Sequence, residues 1–95
     1  MAYDSVFTAP GAAWTQPAAE DITSAVKVQN LGNEAFAVYA TAGAAPAGGP
    51  ETVGATTLEP GEGLQGFLDD LFLVAAPTRL WLYGWNGISA SIQYL

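Results

Sequence analysis

Cysteine and histidine are absent from this chain, and cations nearly so: Lys27 and Arg79 stand alone against nine acidic residues. Without cysteine there is no disulfide scaffold, no thiolate zinc site and no thiol nucleophile, a composition consistent with synthesis in a reducing cytoplasm. Without histidine the usual general base near neutral pH and the commonest transition-metal ligand are also missing, which excludes nearly every acyl-transfer triad. A formal net charge of -7 repels a nucleic-acid backbone, and two isolated cations give an anionic membrane surface nothing to hold. The longest apolar run, Leu71 to Pro77, falls far short of the ~20 residues that span a bilayer. Met1 to Ser5 carry neither a basic leader nor an apolar segment. The expectation is a protein that engages neither nucleic acid nor membrane.

Carboxylate chemistry is what remains. Asp69 and Asp70 are adjacent, and neighbours on a strand point to opposite faces while neighbours in a turn point to water. Glu59 and Glu62 flank Pro60-Gly61 and with an aspartate could offer oxygens to calcium, but the dense, regular acidic spacing of a calcium loop is missing. Gly48-Gly49 and Gly61-Glu62-Gly63 lack the lysine and following helix of a phosphate cradle. The reading is a chain without catalysis, metal or cofactor.

Hydrophobic residues make up 51% of the 95 positions and charged residues 12%, which predicts one folded domain with room for a single two-layer core. Residues 1–21, rich in Ala, Pro and Gly but carrying Tyr3, Val6, Phe7 and Trp14, read as an extended arm whose apolar side chains dock on the protein's own core or grip a neighbour. Residues 22–95 read as the sandwich domain. Ile22 to Asn30 alternates as a half-buried strand, and Glu34 to Thr41 alternates again. A three-residue hairpin loop, Leu31-Gly32-Asn33, places Val26 and Val28 on the same face as Phe36 and Val38. Residues 42–50 form a mobile loop of small residues, and Val53 to Glu59 a weaker strand. Glu59-Pro60-Gly61-Glu62 is a type II turn. Leu64 to Ala76 divides into two short strands with a tight connection, although Leu64, Phe67, Leu68 and Leu71 also match one helix face.

Thr78 to Trp85 and Ile88 to Leu95 read as a closing hairpin around Asn86-Gly87. That register pairs Trp85 with Ile88, Tyr83 with Ala90 and Trp81 with Ile92, putting the rings on the core face. Leu80 and Leu82 are then left on an outer, half-apolar face suited to a contact. The fold class expected is all-β, an antiparallel β-sandwich or small barrel of six to eight short strands with an extended N-terminal arm.

The order of parts from Val26-Lys27-Val28-Gln29-Asn30-Leu31-Gly32-Asn33, through Ala35 to Thr41 and Pro60-Gly61-Glu62, to Arg79-Leu80-Trp81-Leu82-Tyr83-Gly84 resembles small virion proteins of tailed phages. The resemblance covers residues 22–95 and implies a capsid decoration or cement protein, made in the bacterial host cytoplasm and seated on the capsid exterior. Its partner would then be the major capsid protein, with self-association or many symmetric copies. The contact residues expected here are Tyr3, Phe7, Trp14, Tyr39, Leu80 and Leu82. The alternative is a carbohydrate-binding module or an adsorption appendage, with Trp81, Tyr83 and Trp85 as a stacking platform.

Overall fold

The computed structural model describes residues 3–17 and 20–94. Eight strands form two four-stranded antiparallel sheets packed face to face, an all-β sandwich; no barrel closes. The first sheet takes the order β1-β8-β3-β6, from Tyr3–Ala9 (β1), Ile88–Tyr94 (β8), Val26–Asn30 (β3) and Gly63–Gly66 (β6). The second takes the order β2-β7-β4-β5, from Trp14–Thr15 (β2), Arg79–Gly84 (β7), Phe36–Thr41 (β4) and Thr56–Leu58 (β5). Two one-turn helices, Pro50–Val53 (α1) and Leu68–Leu71 (α2), sit in the connections.

Each of the four short connections, β1 to β2, β3 to β4, β5 to β6 and β7 to β8, leaves one sheet and enters the other. They are arches, and both expected hairpins are therefore corrected. Val26 and Val28 do face Phe36 and Val38 across a buried core, but from opposite sheets. Strand parity fixes which side chains point inward and is satisfied equally by a hairpin and by an arch.

The closing pair also crosses between sheets, and there the inward face of β7 is the reverse of the expected one. Trp81 lies opposite Tyr39, and Tyr83 lies opposite both Ala37 and Trp14. Ile92 lies between Ser5 and Val28, and Ala90 between Phe7 and Asn30. The core face of β7 is the leucine face: Leu80 is 1% exposed and Leu82 0%, so neither is an outward contact. Leucine carries no polar atom and fills a sandwich interior at no hydrogen-bonding cost, whereas a tryptophan needs a partner for its indole N–H. Trp81 finds one outside the core, its Nε1 donating to Thr41 Oγ1 at 2.8 Å.

The N-terminal segment belongs to the sandwich. Residues 3–9 pair in register with β8, and Phe7 and Ala9 pack on the core, so the division at residue 21 falls inside one folded unit. Pro50–Val53 is helical where the sequence reading begins a strand at Val53, and the stretch from Leu64 to Ala76, expected as two short strands broken at Asp69-Asp70, holds the end of β6 and then the helix Leu68–Leu71. The 42–50 loop is tied down, with Pro50 buried at the start of α1 and the Gly48 carbonyl accepting a hydrogen bond from Trp14 Nε1 at 2.7 Å. The turn at 59–62 is as expected: Gly61 has φ 85, and Glu62 N–H donates to the Glu59 carbonyl at 2.9 Å.

Two clasps hold the arches. Asn30, at the inward parity of β3, is 2% exposed. Its Nδ2 donates to the carbonyls of Glu34 at 2.8 Å and Leu58 at 2.9 Å, while its Oδ1 accepts from Gly32 N–H at 2.9 Å. Its backbone N–H donates to Glu62, and its carbonyl accepts from Gly61 N–H. One residue thus joins the β3–β4 arch to the β5–β6 arch. At the other arches Gly84 packs against Gly87 so closely that a Cβ at Gly84 would stand 2.7 Å from the Gly87 carbonyl carbon. Gly11 there has φ +87, and the Gly84 carbonyl accepts a hydrogen bond from Ala12 N–H.

Asn30→Ala leaves two carbonyls without their donor and is expected to cost about 2 to 3 kcal/mol. In thermal unfolding that appears as a fall of about 10 °C or more for a domain of this size. Asn30→Asp, which keeps the shape but replaces the donor by an acceptor, is expected to cost at least as much at neutral pH. A shift of under a degree for either variant would contradict the clasp.

Candidate functional site

The outer face of the second sheet collects Trp14, Tyr39, Trp81 and Tyr83. Register places Trp14, Tyr83 and Ala37 abreast, with Tyr39 beside Trp81 and Thr41 beside Arg79 in the next rows. Ring contacts run in sequence from Phe72 to Tyr39 (5.7 Å between centroids), Tyr39 to Trp14 (6.4 Å), Trp14 to Tyr83 (5.4 Å) and Tyr83 to Trp85 (5.7 Å). Three of these are edge-to-face, and the Trp14–Tyr39 pair is tilted by 47°. The rings interlock, a geometry favoured by their quadrupoles; they do not lie in one plane.

The row is fastened at its middle and open at one end. Trp14, Tyr39 and Tyr83 are half-buried, and Trp14 is further fixed by its bond to Gly48. Trp85, just beyond β7, is 43% exposed. It borders a shallow depression of about 170 Å³ lined also by Pro50, Glu51, Gly54, Ala55 and Thr57. This depression offers one ring, one carboxylate and one hydroxyl to the same space.

At the opposite end of β7 lies a polar cluster. Arg79 donates from Nε to Asp21 Oδ1 at 2.8 Å and from a terminal nitrogen to Gln16 Oε1 at 3.2 Å. The guanidinium and a hydrogen bond from Thr78 hold the Asp21 carboxyl below its ordinary value. Among the described residues no group of three or more acidic side chains gathers in a metal-binding arrangement.

The expected contact residues do not form one surface. Phe7 packs on the core and Leu80 and Leu82 lie within it, while Trp14 and Tyr39 stand in the ring row. Tyr3 heads β1, and its side chain lies outside the described residues. Phe67 is 49% exposed, and Trp85, read from the sequence as a core ring, is exposed as well. The signal that could have found it is the position itself, since a residue directly before an Asn-Gly turn sits at the rim whichever way the connection runs.

No family model, curated protein or solved structure matches the chain.

A pH dependence follows from the Arg79 cluster. Because the folded-state value of Asp21 is depressed, its contribution to stability is complete above the ordinary carboxylate value and is lost as pH falls through the depressed one. The pair is largely solvated, so the effect is small. In unfolding curves between pH 7 and pH 2, the advantage of the wild type over Asp21→Asn is expected to shrink below about pH 4; a widening gap on acidification would contradict the assignment.

Proposed function

We propose that the protein is a structural virion protein of the decoration type, held in many symmetric copies on the outer surface of a major capsid protein shell. The observation that carries this reading is Trp85, an exposed ring at the open end of an interlocked aromatic row. Rigid, partly pre-packed aromatic anchors are the residues on which protein interfaces concentrate their binding free energy, because little conformational freedom is lost when they dock. The acidic charge of the chain supports a place outside the shell, away from packaged nucleic acid. The resemblance in the order of strands and turns supports the same class.

A second reading has its own support. The depression beside Trp85, with Glu51 and Thr57 on its wall, has the chemistry of a small sugar subsite, where a ring face and a few polar groups converge. Because the neighbouring rings interlock, that reading concerns one sugar ring at Trp85 and no extended platform.

The test is occupancy of labelled protein on purified particles, followed by electron microscopy. Trp85→Ala is expected to lower occupancy about tenfold or more, in the range of a hot-spot truncation, with the domain still folded. Unchanged occupancy would remove Trp85 from the contact, and absence of the wild-type protein from particles would end the virion reading. Reproducible glycan-array binding lost on Trp85→Ala, without particle association, would establish the second reading instead.

A further inference from the structure

The four sheet edges differ in how they are guarded. β2 and β5 are two and three residues long, and β6 has four residues with glycine at both ends. Short edges of this kind offer little to pair with. β1 is different. It runs seven residues, Tyr3–Ala9, at the end of its sheet, and among the described residues β8 is the strand that pairs with it. It contains no proline, no lysine and one acidic residue, Asp4, so it lacks the usual devices that keep an edge from pairing.

We propose that β1 pairs with β1 of a second copy of this chain, antiparallel about a twofold axis beside Val6. Two four-stranded sheets then join into one of eight strands. This concerns the free protein in solution and stands apart from the virion reading.

Three observations select a second copy and this register. A register centred on Val6 is the one that matches all seven residues of each strand, since Val6 is the fourth of seven. It also resolves the charge problem of an acidic protein meeting itself. With Val6 across from Val6, Asp4 of each copy takes the register position across from Thr8 of the other, whereas a register centred on Asp4 would set acid against acid, which is destabilising. The neighbouring strand adds no repulsion there, because the outward positions of β8 beside β1 are Ser89, Ser91 and Gln93. Finally, Val6 is 61% exposed in the midst of these polar positions. Paired with its twin it gains a cross-strand apolar partner on a face that otherwise gives it none, the kind of closed, self-complementary contact that twofold dimers use.

The absence of cysteine makes the register directly readable by single-cysteine cross-linking. In the proposed pair the two residues at position 6 have Cβ atoms about 5 Å apart, within the reach of a disulfide. The two residues at position 8 are four steps apart along the strands, about 13 Å, and out of reach. Sedimentation of the wild-type protein is expected to give a dimer mass at micromolar concentrations. Val6→Lys, on an exposed position, is expected to weaken the dimer at least tenfold while circular dichroism stays unchanged. Under mild oxidation Val6→Cys is expected to form a covalent dimer, and Thr8→Cys is not. A wild-type monomer at every concentration, a dimer indifferent to a folded Val6→Lys, or cross-linking at position 8 in preference to position 6 would each overturn the proposal. Should Val6→Lys fail to fold, the cysteine pair alone decides.

Discussion

The sandwich depends on a buried amide. Every short connection in this protein passes between sheets, so the two layers are linked at their rims by arches rather than within each sheet by hairpin ladders. An arch brings backbone groups to the rim with no ladder partner, and such groups are costly to leave unmet once water is excluded. Asn30 meets that need at the β3–β4 and β5–β6 arches, where two carbonyls accept from its Nδ2 and one N–H donates to its Oδ1. No apolar residue of similar size could do so. At the β1–β2 and β7–β8 arches the same problem is met by removal of side chains, with Gly84 and Gly87 allowing backbone to approach backbone.

How the layers are filled follows from this arrangement. Aliphatic residues without polar atoms, among them Leu80, Leu82, Ile92, Val28 and Val38, occupy the space between sheets. Tyr94 of the first sheet lies in the core with its hydroxyl donating to Glu20 Oε1, but the N–H- and O–H-bearing rings of the second sheet stand on its outer side. There Trp81 and Trp14 reach Thr41 and the Gly48 carbonyl, and the aromatic surface is a consequence of keeping the core dry. The outer side of the first sheet carries Lys27, Gln29, Ser91 and Gln93 instead. The molecule thus has one aromatic face, one polar face and one open strand edge, on a body of net charge -7.

Much of the architecture could be read from the residues. The strand at Val26 to Asn30, the turn around Pro60-Gly61 and the inward set Val26, Val28, Phe36 and Val38 follow from period-two alternation and turn chemistry. What alternation does not encode is which strand a strand pairs with. Leu31-Gly32-Asn33 gives the right inward faces whether the chain doubles back in one sheet or crosses to the other, but a two-residue hairpin at Asn86-Gly87 sets the parity of β7 one residue away from that of the arch, so Leu80 and Leu82, outward in the hairpin reading, lie inside. The clasp itself had a visible signal: Asn30 shares the parity of Val26 and Val28, and a polar residue in an inward series marks a hydrogen-bonded position. Trp85 and the free edge of β1 were hidden for a different reason, since exposure at a rim and the place of a strand in a sheet are properties of topology.

The most direct measurement of the central claim is hydrogen exchange at the Asn30 side-chain amide, followed by nuclear magnetic resonance. Bonded to two carbonyls inside the fold, its two Nδ2 protons should exchange as slowly as the backbone amide of Val28 in the core and far more slowly than the side-chain amide of exposed Asn33. Exchange at the rate of Asn33 would contradict the account, because the arches would then be held by something other than this residue.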